Sequence, residues 1–321
     1  MNSSSIIMRP YQGESDIHQI VELFDDCARF DHLESSIPIL QLQLPDCEFA
    51  LDRNVRLWEN ESGQLIGFGK LWIREPNVDH VTTSLMAFYA RPSARGEGLE
   101  RQIISWAETR MGEVGSERQG QLKLTAGSRS TQTDRIAIFQ AAGFVENRRL
   151  QYFCHSLNAP ISVPQLPDGF TIRCVDADRD AQTWVDFRNR CFIDHWNYQP
   201  RTLADYRHRL KSADYVPELD LVIVDAEGNL ASIGYCTINR AHNERLGIKE
   251  GWVQSLATAP DFRHQGLAKA MLLHILYRLK TLNIDRAKLQ FDSENHLGVG
   301  KLYESVGFED LHTQIVYVKD L

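Results

Sequence analysis

Pro260-Asp261-Phe262-Arg263-His264-Gln265-Gly266-Leu267-Ala268 joins a strand-like run, Trp252-Val253-Gln254-Ser255-Leu256-Ala257-Thr258, to a helix-like run from Leu267 to Leu282. Leu267, Met271, Ile275, Leu279 and Leu282 form one apolar stripe along that helix. An R-x-x-G-x-A turn at such a junction aims successive backbone N–H groups at one point, where they can hold a diphosphate. Gly266 has no Cβ and lets a ligand approach the main chain. Ala268 keeps the first helical turn thin, and Arg263 adds a fixed positive charge. A strand–helix junction built for packing alone would also use one Gly and one small residue. Two other phosphate loops are excluded: Gly266 is not followed by Lys-Ser/Thr, and no G-x-G-x-x-G occurs here.

Downstream, a second strand-like run, Ala287-Lys288-Leu289-Gln290-Phe291, leads into Asn295-His296-Leu297-Gly298-Val299-Gly300-Lys301-Leu302-Tyr303-Glu304-Ser305-Val306-Gly307-Phe308. Together the two segments resemble the signatures of the GNAT superfamily of N-acetyltransferases. The resemblance implies acetyl-CoA as cosubstrate, its diphosphate held by Arg263, His264, Gln265, Gly266, Leu267 and Ala268. It implies that main-chain groups of Leu256, Ala257 and Thr258 orient the thioester carbonyl, that Asn295 binds the pantetheine arm, and that Tyr303 protonates the departing thiolate. Read from the residues alone, Tyr303 also fits an amphipathic core position and Asn295 a helix N-cap.

The pattern occurs twice. Pro92-Ser93-Ala94-Arg95-Gly96-Glu97-Gly98-Leu99-Glu100 lines up with Pro260 to Ala268, and Phe139-Gln140-Ala141-Ala142-Gly143-Phe144 with Tyr303 to Phe308. The first copy departs where the chemistry would occur. Glu100 stands in place of Ala268 and brings like charge and bulk to a diphosphate; Phe139 stands in place of Tyr303 and has no proton to donate. Ala159 to Pro167 holds three prolines and reads as an extended linker. The expected organisation is α/β, two tandem GNAT-type domains, each a mixed twisted sheet flanked by helices on both faces. Residues 1–158 form a degenerate N-terminal copy, 159–168 the Pro-rich linker and 169–321 the catalytic copy. The whole chain is similar to tandem GNAT proteins such as the mycothiol synthase group.

Composition fits a folded soluble enzyme: 43% hydrophobic and 24% charged residues over 321 positions. No apolar run approaches the ~18 residues of a membrane span, and the N-terminus lacks the charged and apolar regions of a signal peptide. The six cysteines (Cys27, Cys47, Cys154, Cys174, Cys191, Cys236) are scattered, which favours reduced thiols over disulfides or a zinc site. A cytoplasmic location is the expectation. The net charge of −8 argues against a nucleic-acid partner and is compatible with a cationic amine or with solubility alone.

The expected reaction is direct attack by a neutral amine of a small molecule or peptide. A lysine-like amine is neutral at pH 7 at a cost of about 4.6 kcal/mol, an α-amine at about 1 kcal/mol. Glu250, at the mouth of the Trp252 strand, is the candidate base; a solvated strand-edge carboxylate is its other reading. Asp194-His195-Trp196-Asn197-Tyr198 reads either as an acceptor wall or as a turn shared with Asp31-His32, and His264 and His296 either touch the coenzyme or face solvent. The chain is expected to bind no metal and to be a monomer or weak homodimer. A different class of function, a non-catalytic acetyl-CoA sensor or scaffold, is argued against by Tyr303, since a pure binder has no use for an acid near sulfur.

Overall fold

The computed structural model describes residues 6–33, 50–77, 79–118, 120–195, 198–295 and 297–321. Cys47, Trp196, Asn197 and His296 lie outside the described residues. The chain divides at Arg149 and again at His312 into two compact units, Met1–Arg149 with Thr313–Leu321 and Leu150–His312.

In chain order the first stretch carries β1 (Ile7–Pro10), α1 (Glu14–Phe30), α2 (Leu51–Asn54), β2 (Val55–Glu59), β3 (Leu65–Ile73), β4 (Val81–Ala90), α3 (Leu99–Glu117), β5 (Gln121–Arg129), α4 (Thr133–Ala141) and β6 (Val145–Ser156). The second carries β7 (Thr171–Cys174), α5 (Ala177–Cys191), α6 (Leu203–Leu210), β8 (Tyr215–Val224), β9 (Leu230–Thr237), α7 (Arg240–Leu246), β10 (Glu250–Thr258), α8 (Leu267–Thr281), β11 (Arg286–Asp292), α9 (Val299–Glu304) and β12 (Glu309–Asp320). The first unit's sheet runs β1-β2-β3-β4-β5-β12 and the second unit's runs β6-β11-β10-β9-β8-β7. In each, one pair is parallel, β4–β5 or β10–β11, and the other pairs are antiparallel.

Each unit therefore ends on a strand from the other half of the chain. Leu150 to Ser156 of β6 pair with Asp292 to Arg286 of β11, and Gln314 to Asp320 of β12 pair with Arg129 to Lys123 of β5. Phe153 and Leu157 are buried in the second unit's core, and Ile315 and Tyr317 in the first unit's.

In the second unit the sheet is packed on both faces. The α8 stripe lies against β9 and β10: a Cβ built on Gly234 would come 2.7 Å from Met271, and one on Gly251 would come 2.6 Å from Leu279. Only glycine permits a helix that close to a sheet. Leu267, Met271, Ile275 and Leu279 are buried, each contributing roughly 1.5–3 kcal/mol. Leu282, the expected last member of the stripe, is instead 38% exposed, because the helix stops at Thr281 and Asn283 turns with φ 60°.

On the opposite face lie α5 and α6, whose Trp184, Val185 and Tyr206 pack on Val222, Val224 and Ile233. The α5 helix starts at Ala177, where Asp176 caps it by accepting from Asp178 N–H and Arg179 N–H. Thr202 and Asp205 form a capping box that starts α6 at Leu203. The β8–β9 hairpin closes with the Asp225 carboxylate accepting from Asn229 N–H. In the linker, Ile161 and Leu166 pack on the second unit's core, and Tyr277 O–H donates to Ile161 O.

Candidate functional site

The loop between β10 and α8 begins with a 3₁₀ turn, Pro260–Phe262. His264 then takes φ 62° and Gly266 φ 83°, both left-handed, so the main chain alternates its direction just before the helix. The left-handed well disfavours most residues with a Cβ, so a histidine there marks a conformation imposed by the loop. Among the described residues nothing accepts from the N–H groups of His264, Gln265 or Gly266. The first N–H groups of α8, including Leu267 and Ala268, add to them. A Cβ on Gly266 would meet nothing within 4 Å, so its left-handed φ of 83°, and not crowding, is what calls for glycine there. Arg263 Nε donates to Thr258 O at 3.3 Å, which anchors the guanidinium beside the loop, and it has no carboxylate partner among the described residues.

Next to the cradle the sheet comes apart. The β10–β11 ladder pairs Glu250 with Arg286, Gly251 with Ala287 and Trp252 with Lys288, then stops. From Val253 to Thr258, including Leu256, Ala257 and Thr258, β10 is paired only with β9. Its register on β9 shifts between Val253 and Ser255, leaving Gln254 as an extra residue, a bulge that re-aims the strand beyond it.

Tyr303 on α9 packs with its ring 5.2 Å from Phe291 and 6.1 Å from Phe308. Burial pushes its hydroxyl up to about 12, and among the described residues that hydroxyl has no hydrogen-bond partner. Asn295 follows β11, and its Oδ1 accepts from Leu297 N–H at 2.9 Å. It is not the N-cap of α9, which is Gly298. Its Nδ2 remains free to donate, with no partner among the described residues.

Glu250 is not a solvated strand-edge carboxylate. It is 4% exposed, with Oε1 2.9 Å from Arg286 Nη2 and Oε2 2.9 Å from Lys288 Nζ. Both oxygens are thus engaged by cations, and taking a proton from an amine would break one of two ion pairs. Nothing in the spacing of Glu250 revealed this; the partners lie on β11 and meet it only through the parallel register. Of the cluster Asp194 to Tyr198, the described part is a turn, with His195 N–H donating to Phe192 O and Tyr198 N–H to His195 O.

The first unit has the same loop in the same conformation, and it is filled. Gly96 and Gly98 take φ 79° and 96°, and Arg95 Nε donates to Ala90 O just as Arg263 does to Thr258 O. Here, however, the buried Glu100 carboxylate accepts from Gly96 N–H at 3.2 Å, standing where an anionic ligand would bind. Arg95 is held by Asp31 through two contacts, at 2.6 and 2.9 Å. Between β4 and β5, Arg135 donates to Phe88 O at 3.2 Å and to Gly127 O at 3.1 Å, with its guanidinium 4.0 Å from the Phe88 ring. Arg135 thereby stitches together the two strands whose counterparts part in the second unit. β4 also runs in unbroken register on β3, without a bulge. Sequence comparison exposed Glu100 and Phe139 but missed Arg135; the signal was there, since Val299 occupies its place in the second copy.

Both copies match known families. Residues 218–310 match the Acetyltransferase (GNAT) domain, and residues 17–144 match the Acetyltransferase (GNAT) family. A mycothiol acetyltransferase of Thermobispora bispora is 28% identical over 179 residues, 55% of this chain and 60% of that protein. The match thus spans less than two thirds of that relative's length. A mycothiol acetyltransferase of Streptomyces coelicolor is 25% identical over 301 residues, 93% of this chain and 90% of that one. A GCN5-related N-acetyltransferase from Sphaerobacter thermophilus superposes with a TM-score of 0.83 at 19% identity, covering 98% of this chain and 95% of that one. At that identity the likeness speaks for the fold. No helix among the described residues is long and apolar enough to cross a membrane.

Proposed function

The chain belongs to the GNAT family as a tandem two-domain N-acetyltransferase, and from that premise we propose that its second copy alone transfers acetyl from acetyl-CoA to an amine of a small molecule or peptide. The observation that carries this reading is the contrast between the two loops. Around Gly266 the N–H groups lack a partner among the described residues, whereas around Gly98 the Glu100 carboxylate accepts from Gly96 N–H.

In this reading the cradle from Arg263 to Ala268 holds the diphosphate, with Arg263 countering its charge. Asn295 Nδ2 donates to the pantetheine amides. The bound thioester supplies an acyl group whose carbonyl is open to attack by an amine. The unpaired edge of β10, at Leu256 to Thr258, offers main-chain N–H groups that orient this carbonyl and stabilise charge developing on its oxygen. Tyr303, uncharged and without another partner among the described residues, is the acid that returns a proton to sulfur.

With Tyr303 at about 12 and a thiol near 8.5, that transfer is uphill by roughly 5 kcal/mol if only the tyrosine is desolvated. The same apolar surroundings raise the thiol too, which narrows the gap. For Glu250 the ion pairs with Arg286 and Lys288 support a structural role, so that the amine sheds its proton to water before attack.

Thiol release from acetyl-CoA over a panel of amines tests the reading. Amine-dependent release is expected, and coenzyme binding without release from any amine would favour the sensor reading.

A further inference from the structure

Seven of the eleven buried side-chain polar atoms without a partner among the described residues belong to one region of the second unit. They are Trp184 Nε1, Arg188 Nη1, Tyr206 Oη, Arg209 Nε and Nη1, Asp220 Oδ1 and Ser255 Oγ. Register explains the grouping. Asp220 pairs with Tyr235 and Tyr235 with Ser255, so their side chains form one row across β8, β9 and β10. The adjacent row, Leu221, Gly234 and Leu256, faces α8. The polar row therefore faces α5 and α6.

There the Arg209 guanidinium lies 4.2 Å from both the Trp184 and Tyr235 rings, and its Nη2 donates to Asp220 Oδ2 at 2.7 Å. Tyr215 O–H also donates to Oδ2, at 3.2 Å. That accounts for one carboxylate oxygen and one guanidinium nitrogen only. Arg188, one turn beyond Trp184 on α5, has no carboxylate partner among the described residues. Burial, and then repulsion from Arg201 and Arg209, push its guanidinium down to about 10.

Buried polar groups are ordinarily satisfied. This set has four nitrogen donors to spare, two hydroxyls that can donate or accept, and one spare carboxylate oxygen; its own charges are two arginines and one aspartate, with Arg201, Asp205 and Asp180 acting on it from nearby. What it lacks is negatively charged oxygen. Its far end, Ser255, lies on the part of β10 that has left β11, one residue before the stretch Leu256 to Thr258 proposed to orient the acyl carbonyl.

We propose that this cage is an oxyanion subsite of the acceptor site, taking a carboxylate or phosphate carried by the amine substrate. The inference rests on the acetyltransferase reading and deepens it. The acceptor is then an amine that also bears an anionic group, which narrows the cationic amine with which the net charge is compatible. Asp220 and Ser255 are two interstrand spacings apart, so anion and amine are separated by about 10 Å or less.

Calorimetry in two stages tests this. Coenzyme A is titrated first, and its heat reports the cradle. Sodium phosphate, and in a parallel arm sodium acetate, is then titrated into the coenzyme-saturated protein at constant ionic strength. The two arms distinguish a phosphate from a carboxylate site. Binding of at least one anion is expected, about tenfold weaker in Arg188→Met and about threefold weaker in Tyr206→Phe, since a charge-assisted donor counts for more than a neutral one. Arg190→Met removes the same charge from an exposed position on α5 and should leave binding unchanged. Retained coenzyme heat shows that each variant is folded. Coenzyme heat with no anion heat, or equal anion affinity in Arg188→Met and the parent, overturns the cage. Anion heat that depends on Arg188, without any coenzyme heat, sinks the acetyltransferase reading and leaves the cage standing.

Discussion

Two side chains singled out in the sequence have opposite surroundings. Tyr303 is buried, uncharged and, among the described residues, without a hydrogen-bond partner; Glu250 is buried and doubly ion-paired. Tyr303→Phe should lower kcat about 100-fold while coenzyme affinity stays within a factor of about two, since only the proton donor is removed. Steady-state kinetics with calorimetry would check both numbers.

The pH dependence has a definite sign. Because burial raises Tyr303, its neutral, proton-donating form persists until pH approaches about 12. The rate should rise with pH as the amine deprotonates and show no falling limb from Tyr303 below pH ~11. Raised folded-state ionisation also means that Tyr303 weakens the fold only as pH climbs from about 10 towards 12, and not at lower pH.

Glu250→Gln should behave differently from loss of a base. It leaves two cations facing a neutral amide and should destabilise the fold by about 3 kcal/mol in urea melts. The rising limb of the pH–rate profile should stay in place, whereas a shifted limb would restore Glu250 as the base.

At the level of elements, the difference between the copies is local and transferable. Ala268→Glu places in the second loop the carboxylate that fills the first. We expect coenzyme affinity to fall about 100-fold or more, combining repulsion of a diphosphate with competition for the same N–H groups. Thermal shift against coenzyme A reads this directly. Glu100→Ala should not create a second site, because Arg135 still bridges Phe88 O and Gly127 O.

The cradle was legible in the sequence because Arg263, Gly266 and Ala268 act within one short segment. The bulge at Gln254 was not, since a bulge is defined by two strands and only one was being read. Arg135 escaped for a related reason: on its own helix it is an ordinary exposed-looking arginine, and its function appears only with β4 and β5 on either side.

At the scale of the whole molecule, the exchange of β6 and β12 ties the two halves into one folding problem. The expected boundaries at 158 and 169 keep each terminal strand with its own copy, but both strands alternate polar and apolar residues and either would suit the edge of either sheet. Residues 169–321 expressed alone would lack Phe153 and Leu157, both nearly fully buried, and would expose the β11 edge. Loss of two such side chains costs about 2–5 kcal/mol each, comparable with a domain's net stability. The isolated segment should therefore fail to melt cooperatively, while a segment beginning at Val145 should recover.

One open anion cradle per chain is the central expectation for this protein. Calorimetric titration of coenzyme A into the full-length protein measures this most directly. One site per chain is predicted, abolished by Gly266→Glu and unaffected by Gly98→Glu. Two sites, or a single site that survives Gly266→Glu, would contradict it.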